Sequence, residues 1–372
     1  MKDYKVPFIN YPRAHDAHKE EYEEAVLKCM RKGYLIYRND LIKFEDEFSS
    51  YCGCQYGIGT GSCTGAMFIA LKALGIGLGD EVITVSHTYI ATIDVIKAVG
   101  ATPVLVDVEP HSMVMNPWHL KEAISPHTKA ILPVHLNGRM VHMPEIMEIA
   151  DRYNLYVIED AAQAVGAEID GKKAGSWGDI GCFSFYPAKI LGWYGEGGMA
   201  VTNNSYLKDM MFPLRDHGEF PNYRYPPEFR NDPELIGIWG YNTILDNMAA
   251  AVLRVKLKYL PETLERRRQI ARQYLSAFCR PEWDLHQSWQ NYVLKVPDGK
   301  RDALQHYLYD QGIETMVHWR TPNHKQKALG LHFHLPVTES LSQEVLSLPL
   351  YPELADFEVE YVIKAVKAFF ES

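Results

Sequence analysis

Leu155-Tyr156-Val157-Ile158-Glu159-Asp160-Ala161-Ala162-Gln163 is an apolar run that ends in two acids and a turn of small residues. A run that is apolar on both faces reads as a parallel strand covered by helices on each side. Working outward, similar runs precede it at Tyr56–Thr60, Val82–Val85, Pro103–Val108 and Ala130–His135. Between them lie helical patterns such as Thr64–Leu74 and Met143–Tyr153, long enough to serve as crossovers. The alternation predicts an α/β fold with a mostly parallel sheet from Tyr56 to about Thr202. A polar, Pro- and Tyr-rich stretch, Pro221–Pro233, then gives way to a long helical segment from Leu245 to Phe278, interrupted at Pro261. The remainder mixes a strand-like run, Asn291–Val296, with helical stretches at Arg301–Gln311 and Phe357–Phe370, which predicts a smaller α+β unit. The expected division is a large domain over 1–245 and a second over 246–372, the latter comprising the linking helix and the C-terminal unit.

Composition agrees with this scale. The chain has 372 residues, room for about two domains of ~150 residues. An apolar fraction of 47% and a charged fraction of 23% exclude disordered, collagen-like and coiled-coil classes. Forty-seven acids against 38 bases give a net charge of −9, a field that repels nucleic acid and anionic membranes. Six cysteines are too few for a disulfide scaffold and suit a reducing cytoplasm. The N-terminus lacks the apolar stretch of a secretion signal, and no run reaches the ~18 apolar residues of a membrane span. Cytoplasmic localisation is expected. The basic run Arg266-Arg267-Arg268 is read as a solvated helix face.

Three stretches carry chemistry-bearing residues. Gly57-Ile58-Gly59-Thr60-Gly61-Ser62-Cys63-Thr64-Gly65-Ala66 is a turn from strand to helix, where backbone N–H groups and hydroxyls can bind a phosphate, although such glycines need no ligand. A dinucleotide site would need an acid at the far end of the next strand, but Asp80 and Glu81 stand at its beginning. Asp160 stands at a strand's carboxyl end, where ligands of open α/β sheets collect; it could keep a heterocyclic nitrogen protonated, or merely cap a helix. Lys189, in Gly181-Cys182-Phe183-Ser184-Phe185-Tyr186-Pro187-Ala188-Lys189-Ile190-Leu191-Gly192, is a single amine among apolar and small residues. Desolvation lowers the pKa of such an amine and makes it a nucleophile and base, although most lysines reach out to water. The order of phosphate turn, strand-end acid and lone lysine is what a pyridoxal phosphate (PLP) site requires.

With Gly195-Glu196-Gly197-Gly198-Met199, Gly79-Asp80-Glu81-Val82-Ile83, Pro133-Val134-His135-Leu136, His318-Trp319 with Pro322 and His324, and Ser347-Leu348-Pro349-Leu350, these runs resemble the DegT/DnrJ/EryC1/StrS family of sugar aminotransferases along nearly the whole chain. The resemblance implies fold type I: a large domain with a mixed, mostly parallel seven-stranded sheet and a smaller α+β C-terminal domain. It implies Lys189 as the Schiff-base lysine and Asp160 as partner of the pyridine nitrogen. Cys63, Thr64 and Ser184 would hold the cofactor phosphate, Tyr89 would stack on the pyridine ring, and Gln163 would lie near the phenolic oxygen. Asn242 would reach the phosphate of a neighbouring subunit, and a homodimer with shared sites would follow.

The implied reaction is transamination in two halves, with L-glutamate as amino donor and the keto group of a nucleotide-linked sugar as acceptor, in aminosugar and surface-polysaccharide biosynthesis. Related ketosugar dehydratases carry histidine where this chain has Lys189, so the lysine argues for amination. Alternatives are the same chemistry on a cyclitol or small ketone phosphate, or a PLP-binding regulatory protein without catalysis. The chain departs from the family pattern at Ile244, Ala249, Arg320, Asn137 and His142; the guanidinium that Ile244 replaces bears on substrate contacts, not cofactor contacts. His318, Arg320 and His324 are the candidate substrate residues, with His332 and His334 on a loop surface. No Cys/His spacing matches a closed zinc site, so no metal is expected.

Overall fold

A computed structural model describes residues 4–219, 238–278 and 287–371; the Pro221–Pro233 stretch and Cys279 lie outside these. Eleven strands are described: β1 Tyr56–Thr60, β2 Glu81–Val85, β3 Thr102–Val106, β4 Thr128–Ile131, β5 Tyr156–Asp160, β6 Glu168–Ile169, β7 Lys172–Lys173, β8 Ile180–Ser184, β9 Gly198–Thr202, β10 Tyr292–Lys295 and β11 Val345–Leu348. Seven form one sheet in the order β1-β9-β8-β5-β4-β2-β3. Neighbours pair in parallel except that β9 runs antiparallel to both β8 and β1. Two antiparallel pairings in succession restore direction, so β1 points the same way as β8, β5 and β2. The turns after all four therefore lie along one edge.

Helices cover both faces of the sheet. Cys63–Ala73 starts where the Ser62 hydroxyl accepts the Gly65 N–H at 3.0 Å, and it buries Ala66, Met67, Ile69, Ala70 and Leu71 against the sheet. Met143–Tyr153 opens with Pro144 in its first turn and stops at Asn154, whose φ of 52° lets Leu155 N–H return to the Ala150 carbonyl. The long helical segment breaks where expected, into Asn247–Lys258 and Leu260–Ala277 on either side of Tyr259, with Pro261 in the first turn of the second helix. A separate apolar cluster, with Tyr274, Tyr292, Leu304, Leu308, Leu346 and Val362, joins the second helix to the β10–β11 pair and the C-terminal helices.

The structure corrects the reading of the basic run. Arg267 is buried, and its Nη1 donates to the carbonyls of Trp289, Gln290 and Leu350 at 3.1, 3.3 and 3.0 Å. Arg266 reaches the Leu354 carbonyl and Arg268 the Gln287 carbonyl. These guanidiniums pin a helix to chain that arrives later, because a cation with several donors suits a cluster of carbonyls left outside any ladder.

Candidate active site

The shared edge assembles the sequence candidates. Asp160 ends β5; Lys189 lies in the connection from β8 to β9; Ser86–Tyr89 follow β2; Cys63 and Thr64 open the helix after β1. The first N–H groups of that helix have no partner within it, and its dipole is positive at this end. Crowding fixes the turn. A Cβ on Gly65 would stand 2.1 Å from Thr243 Oγ1, and one on Gly198 would stand 2.3 Å from the Ser62 backbone. Gly61 N–H donates to the Thr243 carbonyl at 3.1 Å, so the segment around Asn242 closes over the turn.

Asp160 is buried and firmly oriented. Its Oδ2 accepts the Thr92 hydroxyl at 2.8 Å and its Oδ1 the Ala162 N–H at 3.2 Å. Since that hydroxyl's one proton goes to the carboxylate, the Thr88 hydroxyl 2.9 Å away donates to Thr92 Oγ1. Burial pushes the Asp160 carboxyl above its ordinary range, against the pull of Thr92, Ala162 and the positive charge of Lys189. Burial likewise pushes the Lys189 ammonium below its usual value, opposed by Asp160 and Cys63. The Cys63 thiol, also buried, is pushed well up and stays protonated.

The other candidates separate. The Gln163 Oε1 accepts the Asn137 N–H at 2.9 Å, and the Ser184 hydroxyl the Tyr186 N–H at 3.3 Å. Tyr89 is exposed at the rim, as is Asn242, whose backbone bridges to Asp216. His318 lies close enough to Lys189 for the ammonium's charge to act on it; burial first, then that charge, hold its imidazole at about 4, while Nδ1 meets Ser347 Oγ at 3.0 Å. His324 is a buried strut between Ser86 and Glu339. Arg320 does not join the group: its guanidinium is held by Asp302 at 2.8 Å and by Gln305, on the helix Arg301–Asp310. His332 and His334 are exposed.

Sequence reasoning missed Thr92, which carries no motif signal in Ala91-Thr92-Ile93-Asp94, and it missed the role of Glu159. The Glu159 carboxylate accepts the N–H groups of Gly175, Trp177 and Gly178 at 2.7–2.8 Å and faces His135 Nε2 at 2.8 Å. Because His135 Nδ1 accepts the Val141 N–H, Nε2 carries the ring proton and donates it to Glu159. Alternation along β5 explains both acids, since adjacent side chains point to opposite faces.

The sheet order, with a lysine and a buried carboxylate at its carboxyl edge, is that of a fold type I aminotransferase. The model of the DegT/DnrJ/EryC1/StrS aminotransferase family matches residues 16–367, and the chain belongs to that family. It is 39% identical over 373 residues to the dTDP-3-amino-3,6-dideoxy-alpha-D-galactopyranose transaminase of Aneurinibacillus thermoaerophilus, spanning 98% of this chain and 99% of the relative. It is 37% identical over 379 residues to a Geobacillus stearothermophilus protein named pleiotropic regulatory protein, spanning 98% of each. Among solved structures, NtdA from Bacillus subtilis with bound cofactor PMP has a TM-score of 0.91 at 31% identity, over 100% of this chain and 86% of that one. No helix among the described residues is long and apolar enough to cross a membrane.

Proposed function

We propose that the protein transfers an amino group from L-glutamate to a keto group of a nucleotide-linked sugar, with PLP as cofactor, in the cytoplasm and as a homodimer with shared sites. The product would feed a surface polysaccharide or a glycosylated metabolite. The observation that carries this reading is the placement of a half-buried Lys189 and a buried Asp160 at one sheet edge, each bearing on the other's proton affinity. We further read the chain as two domains, 1–245 and 246–372.

The donor set fits the cofactor. An amine of lowered proton affinity suits an aldehyde, an oriented buried carboxylate suits a protonated ring nitrogen, and a helix N-terminus suits a phosphate. Cys63, Thr64 and Ser184 would hold the phosphate, Tyr89 would cover one ring face, and Gln163 would approach the phenolic oxygen. Asn242, exposed beside the turn, is available to a second copy of the chain. When bound, PLP supplies an electron sink for a carbanion at the substrate carbon. Lys189 Nζ would take the proton from the donor's Cα and return one on the product side, a role that its burial-lowered proton affinity favours. Asp160 holds the proton on the ring nitrogen, and His318, neutral near Lys189, adds no charge that would compete with the amine.

The test is to offer the purified protein PLP, reduce with borohydride and map the added mass. Attachment at Lys189, followed by glutamate-dependent amination of one keto-sugar nucleotide in a panel, is expected. No mass on Lys189 would overturn the cofactor assignment. Turnover only with a cyclitol ketone or ketone phosphate would move the substrate class, and binding without any turnover would favour the regulatory role that one relative's name suggests.

A further inference from the structure

The residues flanking Lys189 are held by a side chain about one hundred positions away. Gln290 Nε2 donates to the Ala188 carbonyl at 2.7 Å, and Gln290 Oε1 accepts the Ile190 N–H at 3.1 Å. One carboxamide thus bonds the residue before the lysine and the residue after it. Gln290 is itself buried and anchored. Arg267 grips the carbonyls of Trp289 and Gln290, and Ser288 N–H donates to the Gly138 carbonyl at 3.0 Å. Gly138, at φ +90°, lies so close that a Cβ there would stand 2.3 Å from Trp289 N. The next residue reaches the other side of the site: Asn291 Nδ2 donates to Asn137 Oδ1 at 3.0 Å, and Asn137 N–H donates to Gln163 Oε1.

We propose that Gln290 is the positioning residue for Lys189: its carboxamide, bonded to Ala188 and Ile190 together, fixes the lysine's backbone and so the direction in which the amine is presented. This rests on the reading of Lys189 as the cofactor-bearing lysine. The chemistry singles out a carboxamide. A lysine stem has four rotatable carbons, so its reach is controlled mainly at its root, and only a group with both a donor and an acceptor satisfies a carbonyl and an N–H at once. A carboxylate there keeps the acceptor for Ile190 and loses the donor for Ala188; leucine loses both.

The experiment compares Gln290→Leu and Gln290→Glu with Gln287→Leu. The last removes an amide on the same segment whose Oε1 accepts from Arg139 Nε at 3.0 Å rather than from the lysine loop. Hydrogen exchange is read on the cofactor-free proteins; the pH midpoint of the bound cofactor's visible band and the glutamate half-reaction are read on the loaded ones. In Gln290→Leu the Ile190 amide should exchange at least ~10-fold faster. The half-reaction rate should fall by ~10–100-fold, the loss expected for a reacting group displaced by about 1 Å, with KM for glutamate changed less than about threefold. The band's pH midpoint should move by about half a unit or more. Gln287→Leu should match wild type in all four readouts. Gln290→Glu should keep Ile190 protected and still lose rate, which carries the test if the leucine variant does not fold. Wild-type exchange, midpoint and rate in the Gln290 variants, or an equal loss in Gln287→Leu, would overturn the proposal. Wild-type protein that takes up no PLP at Lys189 would overturn the functional reading instead, while the exchange data would still report on the clamp.

Discussion

Thr92→Val replaces the hydroxyl that donates to Asp160 Oδ2 at 2.8 Å with a methyl of nearly the same size, so packing changes little and the hydrogen bond is lost. A hydrogen bond to a charged group contributes about 1.5–3 kcal/mol. Its loss should therefore raise the carboxyl further, because the charged form loses a donor that the neutral form needs less. The sign follows from burial. The Asp160 carboxyl already stands above its ordinary value, and Thr92 is the largest influence opposing that rise. Without it the folded protein binds the carboxyl proton at still higher pH than the unfolded chain does. The extra instability is therefore full above the variant's folded pKa and vanishes below the wild-type folded pKa, which itself lies above the unfolded one. Thr88 adds a pH-independent part, because its hydroxyl loses the oxygen it donates to. Urea unfolding of the cofactor-free protein should show the variant weaker by about 2 kcal/mol at pH 8, with the gap narrowing towards pH 4, while Thr92→Ser stays near wild type. A gap under about 0.5 kcal/mol at pH 8, or one that does not vary with pH, would refute the claim that this hydroxyl supports the charged form of Asp160.

Acid should weaken the fold through two histidines as well. His87 and His318 are both held at about 4, chiefly by burial, so they stay neutral in the folded protein while the unfolded chain takes up protons below about 6.5. Their contribution is complete above 6.5 and declines as pH falls towards 4, by about 1.4 kcal/mol per pH unit for each ring; His87→Gln should reduce the slope of stability against pH by one proton, and an unchanged slope would count against it. Gly65→Ala should destabilise by about 1–3 kcal/mol because its Cβ would meet Thr243 Oγ1 at 2.1 Å, and Thr243→Ala in the same chain should restore at least half of that in thermal or denaturant unfolding.

The sheet was readable because its strands are apolar on both faces and their spacing leaves room for one helix each. The placement of Lys189 and Asp160 at the sheet's edge was readable for a related reason: a charged residue that ends or follows an apolar strand interrupts a local pattern. β8 and β9 were harder to see as strands, since Ile180–Ser184 and Gly198–Thr202 carry glycine and small residues where Gly181 and Gly198 must let neighbouring backbone approach. Arg267 was misread because charge alone does not say what a guanidinium meets. It became a buried tie among carbonyls, while Arg320, a candidate substrate residue, bonds to Asp302 and Gln305.

Two adjacent acids at the end of β5 could each have been the ligand-facing one on composition alone. The strand's alternation sends them to opposite faces, and what each meets there divides their work. Glu159 finds three N–H groups of the Gly175–Gly178 turn and the proton of His135, which together satisfy a carboxylate and leave it nothing to offer a ligand. Asp160 finds a hydroxyl and one N–H, and a lysine whose charge acts across the pocket, so it keeps acceptor capacity facing the site. The same argument applies to the amides. Gln290 and Asn291 are neighbours that reach opposite sides of the pocket, one to the lysine loop and the other through Asn137 to Gln163. Asn137 thereby links the segment before β10 to Gln163: its side-chain Oδ1 accepts from Asn291 and its backbone N–H donates to Gln163, so replacing the side chain would release Asn291 and leave the donor to Gln163 in place.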